Sequence, residues 1–256
     1  MIAIPRTKYG LHFHDVFFSD DPLAAREQFS LAHFSQAALP LAGLEPCATK
    51  VVNLRVDEGP LFTALSSNTR YKIRRAEREG VIPVMNWAPS DFNIASFCEH
   101  YDTFAQFKNL PLSNRNKLLG LKSASSLVLA IARDSTEATL VGHAYIADRE
   151  LGRLRLLYSA SHFRSSQDTE ERNRIGRANR LLHWHAMHSA RSDGFQHYDL
   201  GGFPMTEGDP EKNAIARFKN EFGGELVMEY SGFLSRHTII QRAIPAVRQI
   251  IGVHRS

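Results

Sequence analysis

Residues 175–202 read IGRANRLLHWHAMHSARSDGFQHYDLGG, and this stretch decides the interpretation of the chain around it. The first twenty residues are predicted to form a long helix that ends at Gly194, because glycine readily adopts the left-handed backbone found after a helix end. The residues that follow, FQHYDLGG, are predicted to form a strand. A long helix that leads into a strand is typical of a crossover connection in an α/β sheet.

The segments on either side of this stretch predict more of the sheet. Three strands are predicted before it, over residues 126–134, 138–148 and 152–162, and their short connections indicate an antiparallel meander. A short helix is predicted over residues 213–222 and a further strand over residues 224–230. The predicted fold class is therefore α/β, with a mixed, mostly antiparallel sheet flanked by helices.

The first half of the chain is less regular. Residues 50–56 alternate as a strand does, and a single helix is predicted over residues 61–79 with Gly80 at its C-cap. Residues 81–87 read as another strand, and residues 90–122 are predicted to be largely helical. The aromatic residues of that helical region are predicted to share one inner face: Phe92, Phe97, Tyr101, Phe104 and Phe107.

The composition is that of a globular protein with a substantial core, since 43% of the residues are hydrophobic and 23% are charged. No apolar run is long enough to predict a transmembrane helix, and charged residues near the N-terminus replace the apolar run of a secretory signal. The predicted location is therefore the cytoplasm. Cys47 and Cys98 do not have the spacing of metal ligands, and no metal is predicted.

The positive charge is concentrated in two places. Residues 69–80, TRYKIRRAEREG, hold five basic and two acidic side chains, although the formal net charge of the whole chain is only +4. This helix is interpreted either as a surface for a phosphate-rich substrate or as a solvated face with an Arg75–Glu79 pair. The basic amphipathic segment 236–256 is predicted either to pack on the domain or to lie on the inner face of a membrane.

Two glycine doublets hold four of the 16 glycines and lie 22 positions apart. Gly201–Gly202 follows the predicted strand 195–202, where it would let a substrate approach the backbone closely. Gly223–Gly224 is interpreted as the stop of helix 213–222 and as the turn into the next strand. Helix 213–222 and the end of strand 195–202 are predicted to frame a functional site.

The combined pattern resembles FemAB-type peptidoglycan-bridge aminoacyltransferases and their acyltransferase relatives, within the GNAT N-acyltransferase superfamily. The resemblance rests on LSSNTRYKIRRAEREGV, on the stretch quoted at the outset, and on IARFKNEFGGELV, and it covers roughly residues 50–230. Members that use aminoacyl-tRNA usually carry two complete halves. The resemblance therefore implies a remnant subdomain over residues 1–60, an acyltransferase domain over residues 61–235 and a separate basic helix over residues 236–256.

The resemblance also implies a donor site at residues 173–178, NRIGRA, where GNAT enzymes have R/Q-x-x-G-x-G/A at a helix start. Unpaired N–H groups at a helix start bind phosphate well, and a solvated basic helix start is the alternative interpretation. Asn173 departs from the pattern, which weakens the case for coenzyme A. The residues predicted to bind the donor are Ser159, Arg174, Gly176, Arg177 and Asn179.

Three residues are predicted to carry the chemistry. Lys219 matches the Phe-Lys pair that lines the transfer site of FemAB-like enzymes and would stabilise the oxyanion, unless it is an ordinary surface lysine. Asp199, at a strand end, would accept a proton or orient the amine, or else bond to turn amides. Tyr158 ends the strand where GNAT enzymes open their sheet, and it would act as a general acid or simply pack.

A further set of residues is predicted to contact the acceptor or a phosphate: Arg70, Tyr71, Arg74, Gly201, Gly202 and Phe218. The histidines of HWHAMH do not predict a metal site. On a helix, His183 points about 140–160° away from His185 and His188, so the three rings cannot converge on one ion.

The predicted function is an N-acyltransferase that moves an acyl or aminoacyl group to a primary amine of a small molecule or a cell-envelope precursor. The sequence predicts no permanently bound cofactor, and it leaves acyl-CoA, acyl carrier protein and aminoacyl-tRNA open as the donor. A non-catalytic RNA-binding domain on the same fold is the alternative interpretation, based on the basic helix at residues 69–80.

Overall fold

The computed structural model of this protein describes residues 1–161, 168–205 and 208–251, although not the side chains of residues 245–251. The chain divides into two compact units, of which one is Lys50–Glu225 and the other combines Met1–Thr49 with the chain from Leu226 onward. These boundaries differ from those predicted at residues 60/61 and 235/236. The assignment of a remnant, an acyltransferase domain and a separate C-terminal helix stays a prediction.

The secondary structure alternates between strands and helices over most of the chain. The strands are β1 Ile2–Lys8, β2 Leu11–Phe17, β3 Ala32–Ala37, β4 Glu45–Asn53, β5 Ile82–Asn86, β6 Leu127–Arg133, β7 Thr139–Asp148, β8 Arg153–Ser161, β9 His197–Phe203 and β10 Glu225–Leu234. The helices are α1 Pro22–Arg26, α2 Glu58–Ala64, α3 Ser67–Arg78, α4 Asp91–Phe107, α5 Arg115–Ser123, α6 Thr169–Ser192, α7 Pro210–Asn220 and α8 Thr238–Ile251.

In the unit Lys50–Glu225, the sheet has the order β4-β9-β8-β7-β6-β5. The strands β5 to β8 pair antiparallel, as the predicted meander requires, and β8 pairs parallel with β9 because α6 crosses over between them. The helix α6 packs on this sheet, and Ala178, Leu182 and Met187 of this helix are completely buried. The predicted fold class is confirmed.

In the other unit, the strand order is β1-β2-β3-β10. The pairs β1–β2 and β3–β10 are antiparallel, whereas β2 and β3 are parallel. Ile240 and Ile244 of α8 pack against Phe13, Leu31 and Phe233. The predicted helix at the C-terminus is therefore present over Thr238–Ile251, while residues 252–256 of that prediction lie outside the described residues.

The single helix predicted over residues 61–79 is wrong. Leu65 has an extended backbone (ψ 148°) and ends α2, and Ser66 begins α3 by accepting a hydrogen bond from the Thr69 amide with its side chain. Serine is a strong N-cap residue, so the SSN sequence starts a new helix instead of continuing the old one. The predicted C-cap is confirmed, since Gly80 has a positive φ of 73° directly after α3.

The aromatic inner face predicted for residues 90–122 is only partly correct. Phe97 and Tyr101 are buried, but Phe92 is 77% exposed and Phe107 is 57% exposed. At 100° per residue, Phe92 lies about 140° around the helix from Phe97, so the two cannot share a face. No helix among the described residues is long and apolar enough to cross a membrane.

Candidate active site

The pairing between β8 and β9 is short. Cα partners run only from Arg153–His197 to Arg155–Asp199, although β8 continues to Ser161 and β9 to Phe203. Among the residues that the structure describes, no Cα pair joins the two strands beyond this point. We call this place, residues 156–161 of β8 and 200–203 of β9, the strand opening.

Gly201 is the residue at which the backbone of β9 changes direction. Its φ is +77°, a conformation that residues with a Cβ atom rarely adopt. A Cβ atom there would also lie 3.0 Å from the carbonyl oxygen of Leu156 on β8. Gly202 has nothing within 4 Å of the corresponding position, so the space next to it is open.

A β-bulge on β8 determines which way Tyr158 faces. Leu156 pairs with Tyr145 and Tyr158 pairs with Ala144, which leaves Leu157 as the extra residue. Without the bulge, Tyr158 would share a face with Leu156, which packs in the core beneath α6. With the bulge, it lies instead on the α4 side of the sheet.

On that side, the Tyr158 ring packs 4.7 Å from the Tyr101 ring of α4, measured between centroids. The Tyr158 hydroxyl accepts a hydrogen bond of 3.3 Å from the backbone amide of Asn114. Burial raises the pKa of Tyr101 to about 12. Tyr158 is therefore held at the strand opening by both an aromatic contact and a main-chain hydrogen bond.

Lys219 reaches the strand opening from α7. Its Nζ donates a hydrogen bond of 2.5 Å to the Gly202 carbonyl and lies 3.9 Å from the place where a Gly201 Cβ would be. The side chain is half-buried, and burial lowers the pKa of Lys219 to about 8, with Arg155 acting in the same direction and Asp199 opposing it. About nine in ten molecules would carry the ammonium form at pH 7.

Asp199 is completely buried, and neighbouring groups of the protein balance its negative charge. Oδ2 accepts hydrogen bonds from Nε (3.1 Å) and Nη2 (2.7 Å) of Arg153, and Oδ1 accepts one of 2.7 Å from the Gly201 amide. This is the turn-amide arrangement that the sequence left open as one of two interpretations. The negative charge of Asp199 favours the ammonium form of Lys219.

The helix start predicted at residues 173–178 is wrong. The helix α6 begins at Thr169, and the Asp168 side chain caps it by accepting a hydrogen bond from the Glu170 amide. The sequence DTEE has a cap residue and two acidic residues for the first turn, which is the usual pattern of a helix N-terminus. Gly176 therefore lies inside the helix.

Three of the predicted donor-binding side chains contact protein groups. Arg174 forms an ion pair of 3.1 Å with Asp134, and Arg177 is buried against Glu79 and Glu170, both at 2.8 Å. Asn179 accepts a hydrogen bond from a buried histidine on β7. Ser159 is half-buried on β8 at the strand opening. Donor binding by these residues stays a prediction.

The basic helix α3 has mixed roles. Arg70 donates hydrogen bonds to the Thr63 and Leu65 carbonyls at the end of α2, and the Arg74 guanidinium lies 5.3 Å from the ring centroid of Phe62. Tyr71 is 54% exposed. The outer face forms an open groove of about 850 Å³, lined by Ser67, Arg70, Tyr71, Arg74, Glu77 and Arg78.

Hydrogen bonds connect α3 to the end of α7, the helix that carries Lys219. The Thr69 hydroxyl donates to Glu221 at the end of α7, and the Ser66 amide donates to the Glu221 carbonyl. The predicted pair of Arg75 with Glu79 is present at 2.9 Å.

The structure brings together part of the predicted site. Lys219, Gly201, Gly202 and Asp199 lie within a few ångströms of one another, and Phe218 neighbours Lys219 on α7. The residues predicted near the start of α6 are not among them. Within the described ranges, no group of three histidine, cysteine or acidic residues could hold a metal ion.

Sequence reasoning missed Arg153, which neutralises Asp199. The signal was available, because Arg153 and Arg155 alternate in a predicted strand and must share one face. It also missed the bulge at Leu157, for which the sequence LLYSAS gives no sign.

Comparison with solved structures identifies the fold. FemX aligns over 88% of this chain and 69% of its own, with a TM-score of 0.59 and 14% identity. The C-terminal domain of a putative lysylphosphatidylglycerol synthetase from Agrobacterium fabrum aligns over 96% and 84%, with a TM-score of 0.57 and 14% identity. The L-PGS from Bacillus licheniformis aligns over 94% and 83%, with a TM-score of 0.56 and 13% identity.

The fold is therefore the GNAT-type acyltransferase fold that FemX and the two synthetases share, as the sequence resemblance predicted. No protein-family model and no curated protein sequence matches this chain.

Proposed function

We propose that this protein is an N-acyltransferase that moves an acyl or aminoacyl group from an activated donor to a primary amine. The observation that carries the proposal is the Lys219 ammonium, half-buried at the strand opening next to Gly201 and Gly202. A fixed cation in a sheltered cleft suits a reaction whose transition state develops an oxyanion. The acceptor would be a small molecule or a cell-envelope precursor.

In the proposed reaction, the amine attacks the carbonyl carbon of the donor directly, and the carbonyl oxygen becomes an oxyanion. The intermediate collapses when the bond to the leaving sulfur or oxygen breaks. The leaving group would take a proton from the Tyr158 hydroxyl, and the proton that the amine nitrogen loses would restore this hydroxyl. Lys219 would stabilise the oxyanion, which is worth about 2.7–4 kcal/mol for one donor. Holding both substrates in line would contribute about 7–11 kcal/mol, so the site needs few catalytic side chains.

The two other predicted catalytic residues take different roles in this proposal. The Tyr158 hydroxyl, turned out of the core by the bulge, would protonate the leaving group. Asp199 is bonded to Arg153 and to the Gly201 amide, so we propose that it does not touch the substrate. Its charge would instead keep Lys219 protonated.

The charges at the N-terminus of α6 affect which donor could bind there. Asp168 caps this helix, and Glu170 and Glu171 occupy its first turn, so a pyrophosphate would meet three carboxylates there. We therefore propose an aminoacyl-tRNA or an acyl carrier protein as the donor in preference to acyl-CoA. The name of one structural neighbour, a putative lysylphosphatidylglycerol synthetase, supports an aminoacyl group.

The test is a product screen by mass spectrometry in which acyl-CoA, acyl carrier protein and charged tRNA are offered in parallel with a panel of amines. Lys219→Ala should lower kcat by about 10²–10³-fold if one oxyanion donor is lost. Lys212→Ala, which removes an exposed lysine from the same helix, should leave kcat within about twofold. The absence of product with every donor would refute the proposal.

A second candidate function rests on the open groove of α3. Its arginines and exposed Tyr71 would suit a nucleic-acid backbone, with one aromatic ring available for base stacking. A non-catalytic RNA-binding domain would lose affinity steeply as salt rises. Its affinity would fall with Arg78→Gln and would not change with Lys219→Ala, which separates it from the enzyme.

A further inference from the structure

A chain of hydrogen bonds runs through the core beneath α7. Nε2 of His143 bonds to Oδ1 of Asn179 at 2.8 Å, and Nδ1 of His143 bonds to the Tyr145 hydroxyl at 2.8 Å. The Tyr145 and Tyr198 hydroxyls are 3.1 Å apart, and the Tyr198 hydroxyl lies 2.7 Å from Nδ1 of His183. The four ring residues are each at most 1% exposed. Such a chain must have a defined direction, because each hydroxyl has only one proton to donate.

The direction is decided at Asn179. A side-chain carbonyl oxygen can only accept, so Nε2 of His143 carries a proton and donates it. Burial lowers the pKa of His143 to about 4, so the ring is neutral and Nδ1 is a bare acceptor. The Tyr145 hydroxyl therefore donates to His143.

The same argument gives the direction of the remaining hydrogen bonds, from Tyr145 to His183. Since the Tyr145 proton is already used, the Tyr198 hydroxyl donates to Tyr145, and the Tyr198 oxygen accepts from Nδ1 of His183. Burial, and then the nearby His143, Lys219 and Arg180, hold the pKa of His183 well below its usual range. His183 is thus neutral, with its proton on Nδ1 and none on Nε2.

The arrangement beneath α7 favours this direction over the reverse. The ring of His183 packs against Phe218 and Phe222, with centroids 5.5 and 4.9 Å apart. Phe218 precedes Lys219 on α7, and Phe222 lies just beyond the end of that helix. Among the described residues, Nε2 of His183 forms no hydrogen bond. In the reverse direction, Nε2 would carry a proton for which the described residues offer no acceptor.

We propose that Asn179 is a positioning residue for the site at Lys219, because through His143, Tyr145 and Tyr198 it fixes the proton of His183 on Nδ1. The effect is that the neutral ring of His183, which packs against Phe218 and Phe222, carries no proton on Nε2. The two histidines then hold opposite tautomers, with His143 protonated on Nε2 and His183 on Nδ1. Only the effect on transfer rests on the proposed function.

The first measurement is the tautomer of each histidine in the whole protein, by long-range ¹H–¹⁵N correlation on ¹⁵N-histidine-labelled samples at pH 7. The spectra of His143→Gln and His183→Gln identify the two sets of signals. The expected result is one Nε2–H ring and one Nδ1–H ring, as described. If His143 is protonated on Nδ1 and His183 on Nε2, the chain runs the other way and the proposal is overturned.

The second measurement uses Asn179→Asp, which has nearly the same shape. A carboxylate next to His143 would raise the pKa of that ring and favour its doubly protonated form. Nδ1 of His143 would then donate to Tyr145, and each following bond would reverse, so His183 should change to the Nε2–H tautomer. Raising the pH should remove the extra proton from His143 and restore the original tautomer of His183.

The titratable side chains that face His143 are Tyr145 on its own strand, Tyr198 on β9 and His183, whose ring centroid is 4.5 Å away. Burial holds the pKa of both tyrosines above their usual range, so neither titrates below pH 9. If His183 keeps its tautomer in Asn179→Asp while His143 gains its proton, the two rings are not coupled and the proposal is overturned.

The transfer assay completes the test. Asn179→Asp should lower kcat about tenfold at pH 7, leave KM within about twofold and recover as the pH rises. Asn109→Asp, the same substitution at an exposed position that follows α4, is the matched control and should leave kcat unchanged. Reversed tautomers with an unchanged kcat would overturn the positioning role. If no donor yields product, the proposed function fails, while the tautomers still decide whether Asn179 directs the chain.

Discussion

Acidification should destabilise this protein through its buried histidines. His143 is completely buried, and burial lowers its pKa from 6.5 to about 4. The unfolded chain therefore binds a proton that the folded state excludes. The contribution of His143 to stability is fully present above pH 6.5 and is lost as the pH falls from 6.5 towards 4.

The magnitude follows from these two pKa values. Between pH 7 and pH 5, the free energy of unfolding should fall by about 2 kcal/mol through His143 alone. The pKa of His183 is also held below its usual range, so the second ring acts in the same direction. A loss of this size is a large fraction of the stability of an ordinary domain.

The assay is urea unfolding at pH 7 and pH 5, followed by tryptophan fluorescence, for the natural protein and for His143→Gln. Glutamine keeps hydrogen-bonding capacity at this position but does not titrate, so the difference between the two proteins reports the titration of His143 together with its effect on the pKa of His183. The loss of stability on acidification should be about 2 kcal/mol smaller in the variant. Equal losses in the two proteins would refute the assignment of a low pKa to His143.

Three further predictions concern the strand opening and its supports. Transfer should fall as the pH rises through about 8, because the pKa of Lys219 is about 8 and only its ammonium form stabilises an oxyanion; a pH profile of kcat tests this. Gly224→Ala should lower the free energy of unfolding by about 2–4 kcal/mol, because φ is +80° and the new Cβ would clash with the Val51 carbonyl. Arg153→Met should cost about 3–5 kcal/mol by urea unfolding, because it leaves the buried Asp199 carboxylate without its partner.

Each of these predictions has a control. Lys219→Arg should move the fall in activity to higher pH, and a flat profile up to pH 9.5 in the natural protein would contradict the role of Lys219. Gly202→Ala meets no atom within 4 Å and should leave stability within about 0.5 kcal/mol. Arg133→Met removes an exposed pair with Glu137 and should cost less than about 1 kcal/mol.

The sequence predicted the second half of the fold because its elements end at strong local signals. Gly80, Gly194 and Gly223 all follow helices and all have a positive φ in the structure. The break between α2 and α3 was missed because it depends on the Ser66 cap, and no glycine or proline marks this position. The start of α6 after Asp168 was not predicted, because the glycine motif further along the helix resembles the helix start of GNAT enzymes.

The three strands before residue 40 could not be predicted for a different reason. Their buried positions include polar side chains that disturb the apolar alternation. Asp15 on β2 is buried with an ion-pair distance of 3.3 Å to Arg6 on β1, and Gln36 on β3 is buried with a 2.7 Å hydrogen bond to Glu229. A single sequence cannot show which polar residues have such partners.

The sequence likewise predicted only part of the candidate site. Lys219 was predicted from the resemblance to FemAB-like enzymes and the Gly201–Gly202 doublet from its position at a strand end, and the structure brings the two together. The bulge at Leu157 and the bonds of Asn179 depend on contacts between distant segments. The Asn179 side chain is hydrogen-bonded to His143 in the structure, and donor binding by Asn179 stays a prediction.

The two glycine doublets illustrate why packing decides between interpretations. Gly223 ends α7 with a φ of 72°, and a Cβ there would lie 3.2 Å from the Ala64 carbonyl, so this doublet is required by the protein's own backbone. Gly201 is required by its φ and by the nearby Leu156 carbonyl. Of the four glycines, only Gly202 has open space beside it. A substrate that approaches the backbone at the strand opening would therefore do so at Gly202, whose carbonyl already holds the Lys219 ammonium.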